Sequence, residues 1–426
     1  MIKTLLVISC ALLAQPPESS NSELANEVAK LIRNLNADAL TQREAAEQRL
    51  LELGPKILEL LPDPNAPQPA ETEIRLDRVT QELRRQQIDS LTQATHVTLE
   101  NATLGVKEVF RQIEEQTGNQ VIDYREEFGQ PSDDIQVQVD FDKQTFWEAL
   151  DDVLDQAGLT IYTYGGEPGL AIVASNSAIS RESLADYQGA FRFEPVEVRA
   201  QRNFNETGTS NLRLKLAVGW EPRLSPIVMR HQLSTVRAID GDGEPLVVED
   251  GRGNAELEFS INKQMHVQEF EIPFKAPPRE TKEIQSVSGG IDFLLTGPLE
   301  SFHFDPLTDE LNIEQTRGQA TVVLERVRKN RDTWEFRVLV QYTDSAGGLQ
   351  SHYGWIYNNP AMLVDANGEE ILPATIETTR RTESEIGMAY MFDVPQGLEG
   401  MTFVYKTPVA MMSQHVDYEL QDLKLP

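Results

Sequence analysis

Three rhythms of apolar and polar residues divide the chain. Between residues 23 and 88, apolar positions recur three and four apart, the spacing that gathers them on one helical face. Ala45, Leu50, Leu51, Ile57, Leu58 and Leu61 form such a side, interrupted at Gly54-Pro55. Ser20 with Glu23, and Thr41 with Glu44, fit the capping box that satisfies free N–H groups at a helix start. Pro62 to Pro69 predicts a loop, and 70–88 a further, charged helix. The whole segment 20–90 is expected to be helical.

Residues 97–164 carry the strongest internal signal, a repeat at a shift of 40 residues without a gap. Val97 meets Val137, Leu99 meets Val139 and Val106 meets Phe146; Phe110 meets Leu150, Ile113 meets Val153 and Gln116 meets Gln156. Gly118 then meets Gly158, Val121 meets Ile161 and Tyr124 meets Tyr164. The first pairs alternate with period two, as a half-buried strand must, and the middle ones recur as one face of a helix must. Each glycine falls where a helix C-terminus needs a left-handed residue. Each half therefore predicts strand–helix–strand, within a domain at 95–175. Glu148, Asp152 and Asp155 share one side of the second helix and predict a solvated face.

From about 186 onward short alternating runs and turn signals predict strands. A longer repeat emerges: AIDGDGEPLVV (238–248) matches LVDANGEEILP (363–373), and Leu212-Arg213-Leu214 matches Phe336-Arg337-Val338. Phe274-Lys275-Ala276-Pro277 matches Tyr405-Lys406-Thr407-Pro408, and Ile291-Asp292-Phe293 matches Val416-Asp417-Tyr418. Four matches in the same order predict two related β-sandwiches, at 186–297 and 319–426, joined by a connection at 298–318 with a short strand around Phe302 to Phe304.

Composition and charge narrow the chemistry. With 40% hydrophobic and 25% charged residues the chain is expected to fold. A net charge of −30 repels phosphate backbones, so nucleic acid is not an expected partner. One cysteine, Cys10, rules out a disulfide framework, and His96, His231, His266, His303, His352 and His415 show no metal-binding helix spacing. Asp240, Asp242 and Glu244, with Asp365, Asn367 and Glu369, place oxygens at alternating positions but fail the EF-hand pattern. Asp-Gly and Asn-Gly form hairpin turns in their own right, so turns are expected, with no metal and no cofactor.

Residues 1–15, MIKTLLVISCALLAQ, have the shape of a secretory signal peptide: Lys3, an apolar run, and Ala14 near a cleavage point. Val7-Ile8-Ser9-Cys10 offers a second reading, a lipobox with Cys10 lipidated. Either way export is expected, to the periplasm or cell envelope. No later segment reaches 18 consecutive apolar residues, so no transmembrane helix is expected after the signal.

Two resemblances bear on organisation. The string REAAEQRLLELGPKILELL (43–61) is similar to one unit of a HEAT-type helical repeat, placed at 41–62. The duplicated βαβ pattern, with V-T-L-E-N-A-T-L and Q-T-G-N-Q-V and their second copies, resembles the short N-terminal (STN) domain of secretins and TonB-dependent receptors. That resemblance implies two helices packed between small sheets and a periplasmic protein–protein interaction module.

The expected fold is multidomain α+β: a helical segment, an STN-like duplicated βαβ domain, and two tandem β-sandwiches. The expected function is non-catalytic, a protein-binding or scaffolding component of the envelope, whose exposed strand edges accept a partner strand. Tyr353, Trp355 and Tyr357 alternate as along one strand, so all three would share a face. They either fill a sandwich core or make a stacking platform for glycan, which is the alternative function. A polysaccharide hydrolase using acidic residues is third; no nucleophile elbow, P-loop or G-x-G-x-x-G cradle is present, and no catalytic residue stands out.

Overall fold

The computed structural model of the chain describes residues 18–62, 67–164, 169–175, 184–205, 210–249, 255–262, 264–307, 312–330, 333–343, 353–382 and 384–426. The expected signal peptide at 1–15, with Cys10, lies outside the described residues. Among the described residues the protein is mixed α+β and mostly β, with 47% strand against 23% helix and several sheets. It divides into two compact units, Met1–Gln86 and Gln87–Pro426.

The first unit is helical. It holds α1 (Glu18–Asn34), α2 (Leu40–Leu53), a 3-10 turn (Pro55–Leu60) and the start of α3 (Ala70–Thr92). Val28, Leu35, Ala46, Leu50, Ile57, Leu76, Val79 and Leu83 close one core. The helices do not start where the capping boxes predict. Helix α1 already runs through Ser20, and α2 starts one residue before Thr41 on Ala39, which makes no side-chain cap. Gly54 ends α2 at φ 74°, a conformation costly for any other residue, and Pro55 then opens the 3-10 turn.

The second unit begins with β1 (His96–Gly105), α4 (Val106–Thr117), β2 (Val121–Asp123), β3 (Gln136–Thr145), α5 (Phe146–Ala157), β4 (Leu159–Ile161) and β5 (Leu170–Ala174). The limits of β1 and α4 recur 40 residues later in β3 and α5, and both helices end on a left-handed glycine, Gly118 and Gly158. Strands β1 and β3 pair antiparallel as a two-stranded ribbon; β5 lies between β2, parallel to it, and β4, antiparallel. Val97, Leu99, Val137, Val139 and Phe141 point from the ribbon onto the apolar faces of α4 and α5, in one core that Leu159, Leu170 and Ile172 also join. The helices start differently. Thr145 caps α5 in a full capping box with Glu148, whereas Gly105 leaves α4 to Asp134, whose carboxylate accepts from the N–H of Lys107 at 3.2 Å.

The rest is β. Strands β6 (Asp186–Gln188), β7 (Phe191–Gln201), β8 (Asn211–Trp220), β9 (Pro226–Gln232), β10 (Arg237–Asp240), β11 (Glu256–Ser260), β12 (Val267–Lys275) and β13 (Glu283–Thr296) come first. There follow β14 (Leu299–Phe304), β15 (Ile313–Arg317), β16 (Ala320–Asn330), β17 (Thr333–Tyr342), β18 (Ala361–Val364), β19 (Glu370–Ile371), β20 (Thr375–Arg381), β21 (Glu385–Phe392), β22 (Thr402–Pro408) and β23 (Met411–Lys424). One core gathers the sheet β12-β8-β7-β6 and the sheet built on β13, which β9, β10 and β23 all pair. A second core gathers β15-β16-β17-β21-β20 and β14-β22-β18-β19.

Strand pairing does not follow the expected boundaries at 297 and 319. Strand β14 lies in the stretch expected to be a connection, yet it pairs with β22 from Leu299↔Pro408 to Phe304↔Phe403. Strand β23, at the end of the second half, pairs with β13 of the first from Glu283↔Lys424 to Thr296↔Met411. Gly297 N–H donates to the Ala410 carbonyl at 3.0 Å, so the register continues from one sheet into the other. A single antiparallel ribbon therefore threads both cores, with Val416, Tyr418, Leu420 and Leu423 buried in the first.

The repeat matches divide accordingly. Leu212-Arg213-Leu214 and Phe336-Arg337-Val338 hold like places, in β8 between β7 and β12 and in β17 between β16 and β21. The turns after β10 and β18 are copies. Asp240 Oδ1 accepts from the N–H of Asp242 and Glu244, Asp365 Oδ1 from those of Asn367 and Glu369, and Gly243 and Gly368 follow at φ 84° and 86°. The other two matches are not equivalent positions. Phe274 and Tyr405 sit in strands of different placement, while Ile291 and Val416 are direct cross-strand partners.

Candidate functional site

The outer edges of the β1–β3 ribbon meet no further strand among the described residues. Ten-residue unpaired edges are templates for strand addition, and natural proteins block them. Here the block is built from the repeat. In the last turn of α4, Gln116 Nε2 donates to the Thr98 carbonyl at 3.1 Å, and its Oε1 accepts from the Thr98 N–H at 2.9 Å. In the last turn of α5, Gln156 does the same to Gln138, at 2.9 Å in both directions. A side-chain amide carries donor N–H groups and an acceptor oxygen side by side, so each glutamine stands in for one peptide group of a missing strand. The sequence alignment of Gln116 with Gln156 was the signal for this pair; its reach to the strand edge is a tertiary fact.

The module is held on the sheet β12-β8-β7-β6 by buried polar groups. Trp147 on α5 packs over Gly219, where a Cβ would come within 3.2 Å of its ring, and donates from Nε1 to the Ala190 carbonyl at 3.0 Å. Asp151 Oδ2, one turn on, accepts from Arg192 Nε and from Tyr187 OH, both at 2.7 Å. Arg192 also donates to Glu194 at 2.9 Å and lies over the Trp147 ring. Burial pushes the Asp151 carboxyl above its usual range against the pull of Arg192. Nearby, the buried Glu221 accepts from the N–H and hydroxyl of Thr95, from Asn119 Nδ2 and from Arg223 Nε. Glu148, Asp152 and Asp155, expected on a solvated face, are all partly exposed; the buried acid of this helix is Asp151, on the side where the helix meets the core.

A cleft of about 450 Å³ opens on β13 and β23, lined by Gln188, Thr235, Ser288, Gly289, Gly290 and Asp417 among others. It lies where β9 and β10 are separated by a 3-10 turn, Leu233–Thr235, so that neither strand pairs with Gly289 or Gly290. His415 stands in it with Nδ1 2.7 Å from Asp292 Oδ1 and Nε2 3.2 Å from Asp417 Oδ1. Those hydrogen bonds, that to Asp292 first, hold its pKa above the ordinary histidine value. With both ring nitrogens facing carboxylates, His415 is not placed to activate the neighbouring Ser288.

Tyr353, Trp355 and Tyr357 do not form a strand: Tyr353–Asn358 is a 3-10 turn, in which alternate residues do not share a face. Trp355 is 5% exposed and meets Tyr342 edge-on at 5.9 Å between centroids. Tyr357 is half-buried and its hydroxyl lies 2.6 Å from Thr378 Oγ1. Trp355 is thus a core side chain, and the segment is not the strand that the alternation predicts. Among the described residues no group of three His, Cys, Asp or Glu is arranged to hold a metal ion, and no helix is long and apolar enough to cross a membrane. Comparison of the chain with protein-family models, with curated proteins and with solved structures finds no match.

Proposed function

We propose that this is a non-catalytic exported protein that binds or scaffolds a partner protein of the periplasm or cell envelope through residues 95–175. On this reading the module is STN-like, 41–62 is a HEAT-like unit and the two pairs of sheets are tandem β-sandwiches that carry it. Export rests on residues 1–15 alone, with a lipid at Cys10 as the tether on the lipobox reading. The supporting observation is the β1–β3 ribbon: two long strand edges, displayed on a module anchored by Trp147, Asp151 and Glu221. Backbone groups along such an edge give affinity, and alternate side chains give specificity.

Deleting 95–175 would be a poor test, because Ala217 and Val267 of the adjoining sheet share the module's core. Proline at an edge residue removes its outward N–H with less disturbance to the ladder. The full chain and its Thr98→Pro/Gln138→Pro variant serve as parallel baits in detergent-solubilised envelope, with circular dichroism confirming that both fold. A protein retained by the parent and lost from the variant supports the reading. Equal retention, or none by either, removes it.

A further inference from the structure

The two guarded edges differ in chemistry. On the exposed face of β3 stand Gln136, Gln138, Asp140 and Asp142, and Asp152 on α5 holds Gln156 through a hydrogen bond of 3.0 Å to its Nε2. Asp140 and Asp142 form no ion pair among the described residues, and Lys143, the next residue along the strand, lies at φ 54°. The exposed face of β1 begins with His96, Thr98 and Glu100, and so carries a single acid in the corresponding stretch.

We propose that the partner strand adds to the β3 edge, displacing Gln156 from Gln138, and that it is an extended basic segment with lysine or arginine at alternate positions. This rests on the reading of the module as a strand-binding surface. Side chains directly opposite across a strand pair lie about 5 Å apart, and alternate residues share a face. One register of an alternating basic strand therefore meets Asp140 and Asp142 together. A second copy of the chain fits poorly, because it would set those acids against their own copies in a protein of net charge −30. The guard makes the exchange conservative: two amide hydrogen bonds to Gln138 are replaced by two from the incoming backbone. Gln156 thus lowers the affinity for every strand alike, and the acids select among them.

The test uses the full chain and fluorescein-labelled peptides of twelve residues, alternating Lys and Thr or alternating Glu and Thr, with anisotropy as the readout. The lysine peptide binds and the glutamate peptide does not. Gln156→Ala tightens lysine-peptide binding by about fivefold to tenfold, as loss of a two-bond intramolecular competitor should. Gln116→Ala leaves it unchanged, and Asp140→Asn/Asp142→Asn weakens it by at least about tenfold. Equal binding of the two peptides, equal effects of the two glutamine variants, or self-association of Gln156→Ala by ultracentrifugation without peptide would overturn the proposal. If neither peptide binds although the envelope protein is still captured and still lost from the proline variant, the choice of edge and partner charge fails while the binding reading stands.

Discussion

Tyr418 reaches from β23 across β13 so that its hydroxyl lies 3.0 Å from Nε2 of His231 on β9. The reach depends on Gly289: a Cβ there would stand 2.7 Å from that hydroxyl and 3.0 Å from the ring. Gly289→Ala is therefore expected to destabilise the fold by about 1–3 kcal/mol, the usual cost of overpacking. Combining it with Tyr418→Phe, which removes the atom closest to the new methyl, should cost less than the sum of the two single changes. A double-mutant cycle in urea measures this, and strict additivity would show that the ring avoids Gly289.

The same histidine makes stability depend on pH. His231 is fully buried, its Nδ1 has no hydrogen-bond partner, and burial lowers its pKa to about 4. The unfolded chain binds a proton near the ordinary value of 6.5 while the folded chain does not, so stability is lost as pH falls from about 6.5 to about 4. The loss is on the order of 3 kcal/mol from this group, and His266, lowered to about 4 by its own burial, adds to it. Urea unfolding at pH 7 and pH 5 should show the drop, and His231→Gln should shrink it. A drop of unchanged size in that variant would assign it elsewhere.

Asp151 and Arg192 form an ion pair in which both side chains are 1% exposed. Arg192→Met leaves a carboxyl buried without its main partner and is expected to cost about 3–5 kcal/mol. Asp151→Leu/Arg192→Met removes both charges and should recover most of that loss. Thermal unfolding of the three proteins distinguishes this from a purely steric effect, in which the double variant would be the worst.

Ending the chain at Ala410 removes β23. Val416, Tyr418, Leu420 and Leu423 leave the first core, each worth about 1.5–3 kcal/mol of burial, and β13 loses a partner along its whole length. The truncated protein should bind a hydrophobic dye and exchange the amides of β8 and β13 rapidly, while β16 and β17 remain protected. Uniform protection by hydrogen exchange would contradict the shared ribbon.

Trp355→Ala is expected to act on stability, by about 3–5 kcal/mol, because the side chain fills the second core. Glycan retention lost without any fall in unfolding temperature would instead restore a surface role.

Periodicity was enough for the strand and helix that recur 40 residues apart, β1 with α4 and β3 with α5, since each half buries one face of a short strand and one face of a short helix, and local alternation records that burial directly. The Asp-Gly and Asn-Gly turns were legible for the same reason: Asp240 and Asp365 bond to amides only two and four residues away. Alternating aromatics at Tyr353–Asn358 suit a strand, yet the segment is a 3-10 turn whose Trp355 packs against Tyr342. What no local pattern contained was partnership across distance. Ile291 and Val416, which match in sequence, are cross-strand neighbours lining one core, and Asp151 finds Arg192 only when α5 lies on β7. Hydrophobic rhythm determined which residues turn inward; which inward faces meet, and hence where β23 returns and where Gln116 and Gln156 close an edge, depended on packing between segments far apart in the chain.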